Sequence, residues 1–353
     1  MKIVHLAQYY SPHVGGVERH LELLNQELLS RGHEVSVMTQ HVPKDTALCE
    51  GVNGVQVVRL PVALPSLSLL SKTLYKLKLW RQVWRQRKLL FSADRIHIHD
   101  VFFWLIPMLP WLAREKLFMT FHGYEGSEAP GKMQVFWHRF AEKMTVGNIC
   151  VGAFHKVWYH VRPTVETHGA VESARKSTAS RKKDTGVYIG RLAKDAGIMA
   201  YLEAVQILHK QGKAIALDVY GDGPQRAEAE RFVQRHHLHV TFHGDTPNAA
   251  QYLPSYSFAC VSRYLAILES LSAQTPIIAQ YDSEIKHDYL RLSPFAEWVT
   301  IAQTPAEIAA HISHILAQPA SYQAQVQQGK AWADTQSWQN MTNLYENLWS
   351  QKT

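Results

Sequence analysis

A Gly15-Gly16 pair stands between an apolar run, Lys2–Ala7, and a segment that places Val17, Leu21, Leu24 and Leu28 at helical spacing. Glycine there lets backbone N–H groups approach a ligand, and the helix N-terminus that follows favours an anion. A plain tight turn is the simpler use of the same pair. His97 and His99 alternate on a strand-like stretch. No third ligand stands at a spacing that would complete a metal site with them, so they are expected to line a site or to be structural. Cys49, Cys150 and Cys260 are too widely spaced for a disulfide framework or a zinc pattern, which points to a reducing cytosol.

The elements that would position these residues follow from periodicity. The run Lys2–Ala7, the helical segment, Gly32 as a stop and the alternating stretch Glu34–Thr39 make a βαβ unit, hence a parallel sheet with a right-handed crossover. A second set begins after residue 184. The strand of Val187–Gly190 leads to a helix lined by Ile198, Leu202, Val205 and Leu208; further strands are expected at 214–221, 240–244, 258–262 and 276–280. Between the two sets, Glu172–Asp184 is polar, basic and Ser-rich, and reads as a linker. From about Ser337, the residues Trp338, Met341, Leu344, Tyr345 and Leu348 fall on one face of a last helix.

Length and composition agree with two domains. The 353 residues, 46% hydrophobic and 19% charged, exclude a mostly disordered chain. The longest apolar run, Val101–Ala113, is too short to span a bilayer and is broken by Pro107 and Pro110. The opening MKIVHLAQYY lacks the apolar core and cleavage site of a signal peptide and is expected to be a strand. A net charge of +7 favours anionic partners.

Eight motifs occur in order: Tyr10–Glu18, Arg31–Val35, Ile96–Asp100, Phe121–Glu125, Gly190–Gly197, Tyr220–Pro224, Val240–Gly244 and Leu268–Ile278. Their order and spacing resemble glycosyltransferase family 4, over nearly the whole chain. The resemblance implies an α/β protein of the GT-B fold: two facing Rossmann-like domains with parallel sheets and an interdomain cleft. It places an N-terminal acceptor domain at 1–171, a linker at 172–184, a C-terminal donor domain at 185–336 and a terminal helix at 337–353 that returns to the N-terminal domain. It implies retaining transfer from a nucleoside diphosphate sugar, a substrate and not a cofactor, to a glycan or lipid-linked acceptor. No metal is expected, so cationic side chains, amides and helix dipoles would stabilise the leaving diphosphate. Arg191, after Gly190, matches the diphosphate-binding arginine. Glu269 matches the second glutamate of a Glu-x7-Glu motif that binds the ribose hydroxyls. His122 matches a histidine near the donor sugar, where it need not be a general base. Gly15 and Gly16 join the donor-binding set.

Two departures from the family pattern stand out. The position five residues after Arg191, where the family carries a lysine, is Ala196; Lys194, two residues earlier, is taken as the catalytic candidate that would reach the phosphates by another route. The stretch before Glu269 is shortened: Val261 stands where the first glutamate is expected, and Ser262-Arg263-Tyr264 runs directly into the helix. The amides of Leu265 and Ala266 would then hold a phosphate at the helix start, with Arg263 and Tyr264 filling part of the sugar site. These departures motivate a competing reading, a non-catalytic scaffold or regulatory partner that keeps the nucleotide cleft.

Within Ser71–Phe91, Lys72, Lys76, Lys78, Arg81, Arg85, Arg87 and Lys88 alternate with Leu74, Leu77, Trp80 and Trp84. This reads as one basic amphipathic helix, suited to an anionic membrane surface or an anionic acceptor. The patch is taken as Lys76, Trp80, Arg81, Trp84 and Arg85, on a cytoplasmic protein peripheral to the inner face of the membrane. An ordinary helix packing its leucines on the sheet is the alternative. Nucleic acid is not expected, because no recognition motif accompanies the charge.

Overall fold

The computed structural model describes residues 1–13, 15–41, 46–65, 68–124, 128–172 and 182–351. The expected linker lies mostly outside these residues. The chain divides into two compact units. One contains Met1–Tyr124, Pro130–Thr167 and the segment from Trp338 onward; His168–Ser337 make up nearly all of the other.

The first unit runs β1 (Lys2–Ala7), α1 (Gly16–Ser30), β2 (Glu34–Gln40), β3 (Cys49–Val52), β4 (Val55–Leu60), α2 (Leu69–Arg85), α3 (Arg87–Ser92), β5 (Arg95–His99), β6 (Leu117–Phe121), α4 (Lys132–Met144), β7 (Gly147–Val151), α5 (Phe154–Trp158) and β8 (Val165–Thr167). Its strands lie in the order β3-β4-β2-β1-β5-β6-β7-β8, parallel except for the β3–β4 hairpin. That hairpin closes through Asn53 and Gly54, both at positive φ, as a two-residue turn between twisted strands requires. Every residue from Ile3 to Ala7 is buried, as expected of a parallel strand covered on both faces. Leu21, Leu24 and Leu28 of α1 are fully buried, and Gly32 at φ +79° turns the chain into β2.

The second unit runs β9 (Thr185–Ile189), α6 (Ile198–Lys210), β10 (Ala216–Tyr220), α7 (Arg226–Arg235), β11 (Val240–Gly244), β12 (Phe258–Cys260), α8 (Tyr264–Ser272), β13 (Ile277–Gln280), α9 (Glu284–Arg291), β14 (Thr300–Ala302), α10 (Pro305–Ala317) and α11 (Gln323–Ala333). The sheet order is β11-β10-β9-β12-β13-β14, parallel throughout. Tyr201, Leu202, Val205 and Leu208 of α6 pack with Val219, Phe258, Ile278, Ile308 and Ile312 in its core. The last helix, α12 (Trp338–Ser350), belongs to the first unit, where Met341, Tyr345, Leu348 and Trp349 are buried.

Each sheet has one place where the chain's path reverses. The strands after β1 lie to one side of it and β5 to the other; β9 stands likewise between β10 and β12. Ligands of open α/β sheets bind outside the carboxyl ends of the strands at such switch points.

The basic segment differs from the expected single helix. Gln86, at φ −90° and ψ 12°, separates α2 from α3. The stripe that packs inward is Leu79, Val83 and Leu90, all fully buried, whereas Leu74, Leu77 and Trp84 remain exposed. Trp80 is not a free anchor: it is half-buried, and its indole N–H donates to the Phe103 carbonyl at 2.8 Å. Lys76, Arg81 and Arg85 are exposed.

Candidate functional site

At the switch point of the second unit, the loop after β9 carries Gly190 and Arg191, and the loop after β12 carries Ser262 and Arg263. The neighbouring loop after β10 approaches so closely that a Cβ on Gly221, at φ +132°, would overlap the Gly190 carbonyl oxygen. Arg191 and Arg263 converge on one carboxylate. Arg191 Nη2 donates to Asp195 Oδ2 at 2.9 Å, and Arg263 Nη2 donates to the same oxygen. Burial pushes the Asp195 carboxyl up, but Arg263 and then Arg191 outweigh it and hold the group below its ordinary range. Lys194 is exposed on the turn that carries Asp195.

Ala196, where the resemblance leads to a lysine, is buried. The ammonium beside it arrives from the first turn of α9: Lys286 Nζ donates to the Asp195 carbonyl at 2.7 Å and to Gln280 Oε1 at 3.2 Å. Its side chain is fully buried. Burial, and next the nearby Arg263, lower its pKa to about 7. Sequence reasoning missed this residue.

The start of α8 departs from the expectation for Tyr264. Its ring stacks on Tyr289 with centroids 3.8 Å apart, its amide donates to the Tyr289 hydroxyl at 2.8 Å, and its own hydroxyl donates to the Tyr289 carbonyl. Tyr264 is thus committed to the core and does not fill a sugar site. Arg263 is the N-cap, without a side-chain cap hydrogen bond, so Leu265 and Ala266 present first-turn amides not capped by that side chain. Glu269 is half-buried on α8. Six residues beyond Arg263, it stands about 9 Å further along the helix axis.

In the first unit, Gly15 is the N-cap of α1, and a Cβ there would collide with the Glu18 carboxylate; Gly16 opens the helix with free space around it. Glu18 Oε1 accepts from His13 Nδ1 at 2.7 Å. Next to this end, His5 of β1, His20 of α1, His99 of β5 and His122 after β6 cluster with tilted and edge-on rings. His122 Nε2 and His99 Nδ1 lie 2.7 Å apart, and His99 Nε2 and His5 Nδ1 lie 3.0 Å apart. His20 of α1 stands edge-on to His122, with ring centroids 5.1 Å apart. The His122 amide donates to Asp100 Oδ1 at 3.1 Å; Asp100 adopts φ +61° at the end of β5.

A second chain of hydrogen bonds starts from Trp349, whose indole can only donate. It donates to His97 Nδ1 at 3.0 Å, so the proton of His97 is on Nε2 and goes to Thr120 Oγ1 at 2.7 Å. Thr120 Oγ1 and the Tyr345 hydroxyl are hydrogen-bonded at 3.0 Å, as are the Tyr345 hydroxyl and His20 Nε2. Burial keeps these rings neutral. It lowers His5 to about 3 and His20 to about 4, and holds His97, His99 and His122 well below the ordinary range. Among the described residues no group of His, Cys, Asp and Glu has the arrangement of a metal site.

Two doubly wound units with polar and cationic residues at their switch points define a transferase architecture of the GT-B type. The chain belongs to the glycosyltransferases: residues 14–156 match the model of Glycosyltransferase Family 4, and residues 183–318 that of Glycosyl transferases group 1. No curated protein matches the sequence significantly. Solved structures share the fold along their whole length. Sucrose-phosphate synthase from Thermosynechococcus elongatus is 16% identical over 99% of this chain and 98% of its own, with a TM-score of 0.76. Anabaena HepE, in complex with UDP and glucose, is 15% identical over 99% and 100%, at 0.73. WaaG, a glycosyltransferase involved in lipopolysaccharide biosynthesis, is 13% identical over 99% and 100%, at 0.70. At these identities the likeness is one of fold.

Proposed function

We propose that the chain transfers a sugar, with retention, from a nucleoside diphosphate sugar to a glycan or lipid-linked acceptor, without a metal. The observation that carries this reading is the convergence of Arg191 and Arg263 from the two loops that flank the β9/β12 switch point. Two guanidiniums there suit a diphosphate, which they bind through several charge-assisted hydrogen bonds. In the reaction the anomeric carbon–oxygen bond to the diphosphate breaks while the acceptor oxygen bonds to the same face. The leaving phosphate oxygen takes the acceptor's proton, and Arg191 and Arg263 stabilise the departing charge. His122 needs no basicity for this; as a neutral ring it suits hydrogen bonding to a sugar hydroxyl. The carboxylate of Glu269 suits two vicinal ribose hydroxyls, and the amides of Leu265 and Ala266 suit a phosphate oxygen. The uridine nucleotide bound to Anabaena HepE makes UDP the first ligand to try.

Calorimetry with UDP, GDP and ADP tests the site. Glu269→Ala and Arg191→Ala should each weaken binding by about 1.5–3 kcal/mol; affinities equal to the wild type would overturn the assignment. Screening nucleotide sugars for hydrolysis or transfer separates an enzyme from a scaffold that only binds.

We also propose that α2 rests on an anionic membrane surface at the cytoplasmic face. Its outward side carries Lys76, Arg81 and Arg85 together with Leu70, Leu74, Leu77 and Trp84, all exposed. Trp111, 60% exposed, stands edge-on to Trp84 with centroids 5.1 Å apart and extends the apolar strip. Among the described residues no helix is long and apolar enough to cross a membrane.

A further inference from the structure

Three cationic side chains from the loops after β9 and β12 and from the first turn of α9 meet around one residue. Arg191 follows β9, Arg263 follows β12, and Lys286 follows β13; all three donate to Asp195, the arginines to its carboxylate and the lysine to its carbonyl. Lys286 has no carboxylate in contact among the described residues: its two acceptors, the Asp195 carbonyl and Gln280 Oε1, are neutral. A fully buried ammonium held only by neutral acceptors is costly, so a fold seldom keeps one without use. It cannot have drifted there from the surface, because α9 is fixed on both sides of it by buried Ile285, Tyr289 and Leu290. Charge at this spot is unbalanced, with three cationic groups around the single carboxylate of Asp195 and with Asp282 acting on Lys286 from the loop before α9.

We propose that Lys286 is the third cation of the diphosphate site, acting with Arg191 and Arg263 on the donor and on the departing nucleoside diphosphate. The proposal rests on the reading that the donor diphosphate binds at this switch point. It adds a consequence that the arginines alone do not have. Guanidiniums stay charged across the whole accessible pH range, whereas Lys286, lowered to about 7, titrates near neutrality. The groups that set this are burial, Arg263 on the α8 side, Asp195 on the turn after β9 and Asp282 before α9. An arriving diphosphate adds negative charge beside the amine and favours its protonated form. Binding at pH 8 therefore draws a proton onto Lys286, and affinity falls as pH rises through the free-protein pKa.

The experiment is calorimetric titration of UDP, GDP and ADP into the full chain at pH 6.5, 7.5 and 8.5, in two buffers of different ionisation enthalpy. It is run on wild type, Lys286→Met and Arg191→Ala. Methionine keeps the buried volume; Lys286→Gln serves as the second variant if thermal unfolding shows that Lys286→Met is not folded. Expected results are about tenfold weaker binding by the Lys286 variant at pH 6.5 and a steeper fall in affinity with pH in the wild type. Proton uptake at pH 8.5 should be larger in the wild type than in the variant. The difference between the two proteins removes the ligand's own phosphate titration. Equal affinity, equal pH slope and equal proton uptake in wild type and Lys286 variant, with binding weakened by Arg191→Ala, overturn the proposal and leave the diphosphate reading standing. If none of the three nucleotides binds the wild type at millimolar concentration, the reading of the site falls, and the role of Lys286 with it.

Discussion

The indole N–H of Trp349 donates to His97 Nδ1 at 3.0 Å, which ties the last helix of the chain to a strand in the middle of the first sheet. Because an indole cannot accept, this one bond fixes the proton of His97 on Nε2, from which it goes to Thr120 Oγ1, and the path continues through the Tyr345 hydroxyl to His20.

Trp349→Phe should therefore cost more than its lost area. It leaves His97 Nδ1 buried without a donor, a penalty of about 1–3 kcal/mol. Urea unfolding measures it. A change below about 0.5 kcal/mol, the ordinary range of an unremarkable surface substitution, would show that the bond does not matter to the fold.

The buried histidines predict acid lability. The folded-state pKa values of His5, His20 and His155 are lowered to about 3, 4 and 3, and those of His97, His99 and His122 lie well below the ordinary value. In the unfolded chain all six bind protons below about pH 6.5, while the folded chain does not. Their contribution to stability is thus fully present above pH 6.5 and lost as pH falls towards about 4. Each group removes up to about 1.4 kcal/mol per pH unit in that window. Stability measured from pH 7 to pH 5 should drop with a slope of several protons. A flat profile there would mean that these rings are not held neutral.

Much of this was legible because periodicity reports burial. Leu21, Leu24 and Leu28, and likewise Leu202, Val205 and Leu208, mark helices whose inner faces follow from spacing alone. The basic segment shows where that fails. Its sequence carries two apolar stripes, Leu70-Leu74-Leu77-Trp84 and Leu79-Val83-Leu90, and only packing against the sheet selects the second. Lys286 was invisible for a different reason. In the segment Glu284–Arg291 it looks like one more charged residue of a surface helix; its closer acceptor, the Asp195 carbonyl, lies 91 positions away in sequence. His5 also gave no local signal, since its significance arises from the register that sets it beside His97 across β1 and β5.

Gly147 and Leu348 supply a packing test of the terminal helix. A Cβ on Gly147 of β7 would lie 2.6 Å from Leu348 Cδ1, with Phe118 Cδ1 in ordinary contact at 3.6 Å. Gly147→Ala should destabilise the protein by about 1–3 kcal/mol through overpacking. In a Leu348→Ala background the same change should cost less, because the space is then open, so the double-mutant cycle should give a favourable coupling. Additive effects within about 0.5 kcal/mol would show that α12 does not rest on Gly147 in solution.

The membrane proposal divides into an electrostatic and an apolar part, each resting on exposed residues. Lys76, Arg81 and Arg85 are exposed on α2; near an anionic leaflet each contributes about 1 kcal/mol. Replacing all three by Gln should weaken binding to vesicles of anionic lipid by about two orders of magnitude. Raising salt to 1 M, where the Debye length is about 3 Å, should act in the same direction on the wild type and have less effect on the triple variant. The apolar part falls to Trp84 and Trp111, which stand in exposed edge-to-face contact. Trp84→Ser or Trp111→Ser should weaken binding at any salt. Trp80 should behave differently, because its indole is already bonded to the Phe103 carbonyl; Trp80→Phe should lower stability and leave vesicle binding unchanged. Nucleotide binding should persist in every one of these variants, since the substitutions lie in the first unit and the cations of the proposed diphosphate site in the second. Co-sedimentation with vesicles measures all of this, and an absence of lipid dependence at low salt would leave α2 as an ordinary solvated helix.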